Sequence, residues 1–360
     1  MLQSYLIPIR YAFLTFPILA FLFTLPFLIV QYRKYGYVNK IRVVVIYSLL
    51  LYVLTALYLV ILPLPASRNT CAPWRESYMS WVPFQFVKDF VRETGLQPGV
   101  PSTYVRLFTE RAFLQAAFNV LLLVPLGVYL RYYFRFGFGK AVAAAFGLSL
   151  FFEITQVTGL YGIYKCPYRL FDVDDLMLNT FGGALGYMAA PLVMKLLPRP
   201  DRLDENVDLK SERVGLTRRF IALQLDAIVL FPAALLFMRS PDIVLYAVVC
   251  FLYFVMLPLA TNGRTLGKYI VRIRVIGGGE RIRFKELLVR YGALYGLVGG
   301  AHAIFLLGAV QRLPPALLGV SFIAVAAVDT VFAIHVAIRL FRKNNELFYE
   351  RWSGTKHEIF

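Results

Sequence analysis

The sequence predicts an all-α protein, a polytopic bundle of transmembrane helices, on three observations. Hydrophobic residues make up 59% of the 360 residues and charged residues only 16%. The mean hydropathy of +0.64 exceeds that of soluble domains. Finally, the chain contains apolar runs of about 20 residues, the length that crosses a bilayer. We expect about nine spans, near 11–31, 42–62, 113–131, 140–159, 174–196, 219–238, 242–259, 287–310 and 318–340.

The basic residues predict how the spans are oriented. With the N-terminus outside, the inside segments hold 27 of the 38 Lys and Arg residues, and the outside segments hold 11. Lys and Arg accumulate in cytoplasmic loops, and long loops such as 63–112 count less in this rule. We therefore expect an N-terminus outside, a C-terminus inside and a long extracellular loop. This distribution explains the net charge of +17 and excludes nucleic acid as a partner.

A polar, proline-bearing segment, LPRPDRLDENVDLKSERVGLTRR, separates the fifth span from the sixth. The predicted topology places it in the cytoplasm, and its composition is typical of a domain boundary. We therefore expect a membrane domain of five spans at 1–197, a linker at 198–217, and a membrane domain of four spans at 218–360.

Polar side chains cluster at the predicted outer ends of spans three, four and five. Asp172 is a good N-cap for span five, and Asp174 and Asp175 fall in its first turn, where the helix dipole favours anions. Capping does not account for the nearby arginine and asparagine, and carboxylates in a membrane are costly unless they face partners or water. We expect a ligand-binding polar cluster of Asn119, Glu153, Gln156, Arg169, Asp172, Asp174, Asp175 and Asn179. The alternative is a structural network in which the arginine neutralises the carboxylates.

Three motifs of the first half are familiar in this order. FNVLLLVPLG (118–127), FFEITQV (151–157) and YRLFDVDDLMLNTFGGALGY (168–187) resemble the VanZ-like family over about residues 40–195. WVPF (81–84) fits the family's Pro-Phe element, with a tryptophan where a leucine after an asparagine is expected. The resemblance implies a multi-pass protein of the bacterial cell membrane. The founding member of the family is linked to low-level resistance to the glycopeptide teicoplanin.

The second half carries charges at the edge of and within its apolar segments. Arg219 and Asp226 lie seven residues apart in TRRFIALQLDAIVL, and the tail contains FYERWSGT. This arrangement resembles the RDD family, named for an arginine and two aspartates, over about residues 213–356. Arg219 and Asp226 match the first two positions, and either Glu350 or Asp329 takes the third. The resemblance implies a transport-like module whose ligands are unsettled.

The segment VRIRVIGGGERIRF predicts a short cytoplasmic β-hairpin. Apolar Val271, Ile273 and Val275 alternate with Arg272 and Arg274 and are followed by three glycines. A basic hairpin lying on the inner leaflet accounts for the pattern without a catalytic role.

Glycines at four-residue spacing indicate helix packing in two spans. Gly182, Gly186 and Ala190 share a face of span five, and Gly292, Gly296 and Gly300 share a face of span eight. Such small-residue spacing lets transmembrane helices approach closely.

Two of the three cysteines, Cys71 and Cys166, fall in predicted outside segments, where oxidation is possible. We expect a disulfide between them, the alternative being two unpaired thiols. The three histidines have no carboxylate or cysteine at ligand spacing, so neither a metal nor another cofactor is expected.

Three kinds of function stay open. One is a binding module whose outward-facing polar pocket holds a lipid head group or a lipid-linked cell-wall precursor, with a glycopeptide antibiotic as an indirect partner. Another is an intramembrane enzyme using Glu153 or Asp175 as acid or base on a lipid-linked substrate. The third is a scaffold for envelope proteins, or a transporter of the RDD type. The cluster offers no nucleophile and no histidine, which favours binding; the oligomeric state is left open.

Overall fold

The prediction of an all-α protein is confirmed, because 74% of the chain is helical. The computed structural model describes residues 2–71, 77–93, 110–200, 203–205, 214–239, 242–310, 314–340, 342 and 345–360. Its helices are α1 (Leu2–Lys34), α2 (Lys40–Ile61), α3 (Gln85–Glu93), α4 (Arg111–Tyr132), α5 (Phe138–Val157), α6 (Val173–Met194), α7 (Leu216–Arg239), α8 (Ile243–Phe251), α9 (Leu257–Ala260), α10 (Leu266–Ile270), α11 (Phe284–Tyr291), α12 (Gly300–Val310), α13 (Pro315–Leu340) and α14 (Phe348–Ser353).

Four short strands and two π-helices complete the described structure. The strands are β1 (Met79–Ser80), β2 (Phe171–Asp172), β3 (Ile273–Ile276) and β4 (Lys356–Ile359). The π-helices are Leu252–Met256, between α8 and α9, and Gly292–Gly299, between α11 and α12. A single left-handed turn, Gly159–Gly162, follows α5.

Eight helical segments of the described chain are long and apolar enough to cross a membrane. A ninth apolar segment, Val244–Ala260, is shorter than these eight and coincides with the shortest of the expected spans. The predicted membrane-spanning bundle is thus confirmed, while the direction in which each helix crosses stays a prediction.

The chain divides into two compact units. The first contains Met1–Phe23 and Asn39–Asn206, and the second contains Thr24–Val38 and Val207–Phe360. Residues 206–213 of the expected linker lie outside the described residues. The predicted domain limits therefore stay a prediction.

In the first unit, α4 and α6 pack at backbone contact. A Cβ atom added at Gly182 or at Gly186 would lie 1.9 Å from the carbonyl oxygen of Val120 or Val124, respectively. Only glycine permits such an approach, which confirms the packing expected from the glycine spacing of this span.

The core of this unit lies beside the α4–α6 contact. Leu123 of α4, Ala145 and Phe152 of α5, and Ala56 of α2 are all at most 2% exposed and form one apolar cluster. Tyr187 of α6, which is partly buried, packs against this cluster. The core therefore fixes α2, α4, α5 and α6 relative to one another.

A short segment before α4 is attached to the start of α6. β1 pairs in parallel with β2, with Met79 opposite Phe171 and Ser80 opposite Asp172. The Trp81 ring lies against that of Phe171, with their centroids 5.3 Å apart. α3 follows directly, so the β1–α3 segment is held at the end of the unit where α6 begins.

In the second unit, β3 has the predicted alternation but not the predicted partner. Val271, Ile273 and Val275 are fully buried, which confirms the apolar face. The hairpin is wrong, because β3 pairs antiparallel with β4 at the C-terminus, with Ile273 opposite Ile359.

Helix capping explains why the local hairpin does not form. The carboxylate of Glu286, in the first turn of α11, accepts the backbone N–H groups of Gly278 and Arg283 at 3.0 and 2.8 Å. The residues after the glycines are thereby held as the cap of α11 and cannot act as a second strand.

The glycine spacing of span eight does not serve close packing in the way expected. Cβ atoms added at Gly292 and Gly296 would meet nothing within 4 Å, and both glycines lie in the second π-helix. The π-helical winding changes which residues share a face. The close contact falls instead at Gly299, where an added Cβ would lie 2.0 Å from the hydroxyl oxygen of Tyr246.

Candidate functional site

A cavity of about 840 Å³ lies in the first unit between α2, α4, α5 and the start of α6. Seven of the eight residues expected in the polar cluster line it. They are Asn119, Glu153, Gln156, Arg169, Asp172, Asp175 and Asn179. The eighth, Asp174, lines a smaller cavity of about 190 Å³ on the side of α3.

Asp174 accepts hydrogen bonds from backbone N–H groups and does not line the main cavity. Its two carboxylate oxygens accept the N–H groups of Phe84 and Phe86, at 2.6 and 2.8 Å. These contacts satisfy N–H groups at the start of α3 that have no partner within the helix. The expectation that Asp174 binds a ligand directly is therefore replaced by a positioning role.

Glu153 and Asp172 join α5 to the start of α6. The Glu153 carboxylate is 3% exposed and accepts the backbone N–H of Asp172 at 2.9 Å. The Asp172 side chain in turn accepts the N–H of Asp174 at 3.0 Å, as expected of an N-cap. Burial raises the pKa of Asp172 above its usual value. The cavity wall therefore rests on a chain of side chain-to-backbone hydrogen bonds.

Amide side chains lie beside the carboxylates on α4 and α6. The Asn119 amide donates a hydrogen bond to Asp175. The Asn179 amide nitrogen donates to the Ser149 hydroxyl at 3.0 Å. The Asn179 side-chain oxygen is buried and finds no hydrogen-bond partner among the described residues. A buried acceptor without a partner costs about 1–3 kcal/mol, and this one belongs to a residue that lines the cavity.

Two guanidinium groups line the cavity without an ion pair to any residue that the structure describes. Arg169 donates to the carbonyl oxygen of Leu62 at 3.1 Å, and Arg111 at the start of α4 also lines the space. Within the described residues, no carboxylate oxygen lies within 4.0 Å of either guanidinium. Arg169 therefore lies near the carboxylates without a direct ion pair in this part of the chain, and the alternative of a structural network stays a prediction beside that of a binding site.

Arg111 is not among the residues expected from the sequence, because the predicted topology places it at the end of the long loop 63–112. Arg111, Gln115 and Asn119 follow one another at four-residue spacing and all line the cavity. That i, i+4, i+8 pattern places three polar side chains on one face of α4. It is the sequence signal that would have predicted Arg111 as a lining residue.

The far wall of the cavity is apolar. Ala56 and Leu59 of α2, Leu122 and Pro125 of α4, and Phe152 of α5 contribute to it. The space is therefore amphipathic, with charged groups towards the start of α6 and hydrocarbon along the helices.

The structure joins Cys71 and Cys166 in a disulfide. Beside the disulfide, the Lys165 backbone N–H donates to the carbonyl oxygen of Arg68 at 3.0 Å. The Thr70 hydroxyl donates to the carbonyl oxygen of Cys166. The loop after α2 is thus attached to the loop that carries Arg169.

In the second unit, Glu350 is the acidic partner of Arg219. The Arg219 guanidinium lies 2.7 Å from one Glu350 oxygen, and that of Arg290 lies 2.9 Å from the other. Asp329 is not part of this group and lies 3.2 Å from His302. Of the two alternatives for the third RDD-like position, the structure brings Glu350 to Arg219.

A buried histidine completes the Glu350 group. The Nδ1 atom of His357 lies 2.9 Å from a Glu350 oxygen. Burial and the Arg290 charge lower the pKa of His357 to about 3. Burial alone would raise the pKa of Glu350, but the His357 hydrogen bond and the charges of Arg290 and Arg219 hold it well below its usual range.

Asp226 has a separate set of partners and fixes the turn before β3. Its carboxylate accepts from the Tyr253 hydroxyl, the Thr265 hydroxyl and the Gly267 N–H, each at 2.7 Å. Lys268 lies 3.8 Å away. Arg219 and Asp226, seven residues apart in the sequence, therefore serve different clusters.

The fold and the two charged clusters define a multi-pass membrane protein with two different halves. Comparison with known families identifies these halves. Residues 49–194 match the VanZ/LLP1 family, and residues 213–339 match the RDD family. The chain is a VanZ-like domain fused to an RDD domain, as the motifs indicated. No match was found among curated proteins or among solved structures.

Proposed function

We propose that the VanZ-like half binds the phosphate-bearing head group of a membrane lipid or of a lipid-linked cell-wall precursor. The observation that carries this proposal is the pair of guanidinium groups, Arg111 and Arg169, lining one cavity with no carboxylate within ion-pair distance among the described residues. Arginine presents a planar fork of donors that matches phosphate oxygens in pairs.

The apolar wall supports a lipid over a free polar solute. Leu59, Leu122 and Phe152 line the same space as the charged groups. Hydrocarbon chains gain free energy by leaving water for such a surface. A phospholipid and a polyprenyl-linked precursor share this combination of phosphate and hydrocarbon.

The competing function is acid or base catalysis by Glu153 or Asp175. Among the described lining residues there is no serine, cysteine or histidine. One Glu153 oxygen already accepts the N–H of Asp172. These observations support binding more than covalent chemistry.

Lipid retention tests the proposal. The full chain would be delipidated in mild detergent, offered phosphatidylglycerol, phosphatidylcholine or a polyprenyl phosphate, and examined by native mass spectrometry. Arg169→Ala should weaken retention roughly 10- to 100-fold, the effect of losing charge-assisted hydrogen bonds of about 1.5–3 kcal/mol. Lys165→Ala, an exposed cation of the same loop, is the matched control.

The three lipids separate the sources of the phosphate. Preference for the polyprenyl phosphate indicates a cell-wall precursor, and preference for a phospholipid indicates a membrane lipid. Equal retention of every lipid by the unmodified chain and by Arg169→Ala would overturn the proposal. Turnover of the added lipid would favour the enzyme.

A link to glycopeptide resistance rests on the family resemblance. We expect Glu153→Gln and Arg169→Ala to abolish any teicoplanin phenotype conferred by expression of the chain in a bacterium, with normal insertion and yield. Loss of the protein itself in both variants would instead favour a structural role for the cluster.

A further inference from the structure

The segment 81–93, which contains WVPF and α3, is held where two membrane spans begin. α4 and α6 each have 22 residues, about 33 Å of helix, and the hydrocarbon core of a bilayer is about 30 Å thick. The first turns of these spans therefore lie at the edge of the hydrocarbon, among the head groups. Phe90 lies against Phe113 in the first turn of α4, and Asp174 in the first turn of α6 accepts two backbone N–H groups of the segment. α3 is thus fixed at the depth of the lipid head groups.

The side of α3 that faces the protein is partly polar. Gln85, Phe86 and Asp89 line the smaller cavity. The Gln85 amide donates a hydrogen bond to the Asp89 carboxylate at 3.4 Å. Two of the polar side chains of α3 are therefore turned inward, towards α4 and α6.

Apolar side chains cover much of the outward side. Val87 and Val91, four residues apart on α3, are 43% and 70% exposed. Trp81, Val82 and Phe84, which precede α3, are each more than half exposed. A surface helix in water turns such residues inward. The outward side of this segment therefore indicates contact with an apolar or interfacial medium.

The backbone at Phe84 supports a role for its exposed ring. Its φ of 63° lies in the left-handed region, which is unfavourable for a residue with a bulky side chain. The N–H groups of Phe84 and Phe86 both donate to Asp174, and these bonds hold the conformation. Such strain persists where the position of a side chain matters, and here that position leaves Phe84 exposed.

Two basic side chains lie beside the valines. Lys88 and Arg92 are exposed and lie four residues apart, in the row next to Val87 and Val91. Among the side chains that the structure describes, no carboxylate lies within ion-pair distance of either cation. An apolar row with Lys and Arg beside it is typical of helices that lie in a membrane surface, where the long basic side chains extend to the phosphates.

We propose that the outward side of this segment lies in the head-group layer of an anionic lipid bilayer. The side chains at the boundary between head groups and acyl chains are Trp81, Phe84, Val87 and Val91. Tryptophan is enriched at this level of membrane proteins. Lys88 and Arg92 bind the lipid phosphates, so the charges of the two surfaces are complementary. Lipid then supports α3 from outside, and with it one wall of the smaller cavity.

Spin labels on the full chain in lipid nanodiscs test this placement. In a Cys250→Ala background, which removes the free cysteine, one label is attached at Val91→Cys. A second is attached at Glu280→Cys, an exposed residue of the polar turn after β3, as the control in water. Oxygen concentrates in lipid and a nickel chelate stays in water, so the ratio of relaxation by oxygen to relaxation by nickel should be higher at Val91→Cys.

The two other results of this measurement both contradict the proposal. Relaxation by nickel as strong at Val91→Cys as at Glu280→Cys would place this side of α3 in water. Weak relaxation by both reagents would place it under protein, from this chain or another. Either result would overturn the proposal, whereas Arg169→Ala, which tests the main cavity, should leave the Val91 label unchanged.

Lipid charge tests the basic pair. Amide exchange over residues 84–92 should be slower in phosphatidylglycerol discs than in phosphatidylcholine discs. Lys88→Gln should weaken this protection roughly fivefold, the weight of one basic residue beside an anionic surface, and adding Arg92→Gln should abolish it. Lys140→Gln, which removes an exposed cation at the far end of α5, is the matched control. Equal protection in the double variant and in this control would overturn the proposal.

Discussion

Asp172, Asp174 and Asp175 have different roles although they are close neighbours. Asp172 caps α6, Asp174 accepts two N–H groups of the α3 segment, and Asp175 accepts from Asn119 while lining the main cavity. A carboxylate with two backbone donors is committed to structure, whereas Asp175 accepts from one side-chain amide and lines the main cavity. The same residue type therefore divides between positioning and ligand contact.

Glycine substitutions test the α4–α6 contact residue by residue. Gly186→Ala places a Cβ against the carbonyl of Val124 and should cost roughly 1–3 kcal/mol, the usual penalty of overpacking. Gly147→Ala lies in open space on α5 and should instead stabilise by about 0.5–1 kcal/mol. Thermal unfolding in detergent measures both; a Gly186 variant as stable as the parent would refute the packing.

At the scale of the element, α3 is held by its attachments to α6. The β1–β2 pair joins it on one side, the Asp174 carboxylate accepts its first N–H groups, and Phe90 lies against Phe113 of α4. The smaller cavity lies beneath it. A displacement of α3 would therefore change one wall of the smaller cavity.

Removing the Asp174 carboxylate should release α3. Asp174→Ala leaves the N–H groups of Phe84 and Phe86 without their acceptor, at a cost of about 1–3 kcal/mol. We expect amide exchange over residues 84–90 to accelerate roughly 10- to 100-fold. Asp89→Ala, on α3 itself, is the control, and equal exchange in the two variants would contradict the role of Asp174.

The C-terminal segment is a second element held by charge. Glu350, at the start of α14, lies between Arg219 of α7 and Arg290 of α11. β4 then pairs with β3. The tail thus closes onto two spans through one buried carboxylate.

Acid should loosen this tail. The pKa of Glu350 is held below its usual range, so the unfolded chain binds more protons than the folded one. The stability it contributes is therefore present above about pH 4.3, the usual glutamate pKa, and is lost as pH falls below it. His357 acts in the same direction, because its pKa of about 3 in the folded chain lies below the usual histidine value, so stability is also lost as pH falls from about 6.5 towards 3. Limited proteolysis of the tail at pH 7, and with an acid-active protease at pH 3, measures the combined effect.

The matched variants are Glu350→Gln and Glu358→Gln. The first leaves two buried guanidiniums without their partner and should cost about 3–5 kcal/mol at pH 7. The second breaks only the exposed pair with Arg274 and should cost little. A tail equally resistant in both variants would contradict the role of Glu350.

At the scale of the whole molecule, two membrane families meet in one chain. The match to the VanZ/LLP1 family ends at residue 194, and the match to the RDD family begins at residue 213. Most of the charged segment lies between the two matches. We propose the boundaries 1–197 and 218–360 for the two domains. The cavity belongs to the first unit, and the Glu350 cluster belongs to the second.

Reporter fusions test the predicted topology. A reporter after residue 205 should read as cytoplasmic, and one inserted near residue 95, outside the described residues, should read as external, because basic residues favour the inside. The reversed pattern at both positions would show that the predicted orientation is wrong and that the cavity opens towards the cytoplasm.

The sequence by itself determined the membrane bundle and its two families. Hydropathy depends on composition along the chain, and the motifs are local, so neither needs contacts between distant residues. Seven of the eight residues expected in the cluster line one cavity, since helical spacing had already placed them on facing sides at one depth.

The tertiary structure decided which partner each charged or polar group has. Arg169 bonds to a backbone carbonyl and not to a carboxylate, Asp174 serves α3, and β3 pairs with the distant tail. Each of these depends on segments about 80 to 110 residues apart meeting at hydrogen-bond distance. Periodicity predicts which side chains share a face of a helix, but it does not predict which atom lies opposite each of them. A hydrogen bond depends on that atom, because its strength changes over a few tenths of an ångström in the donor–acceptor distance.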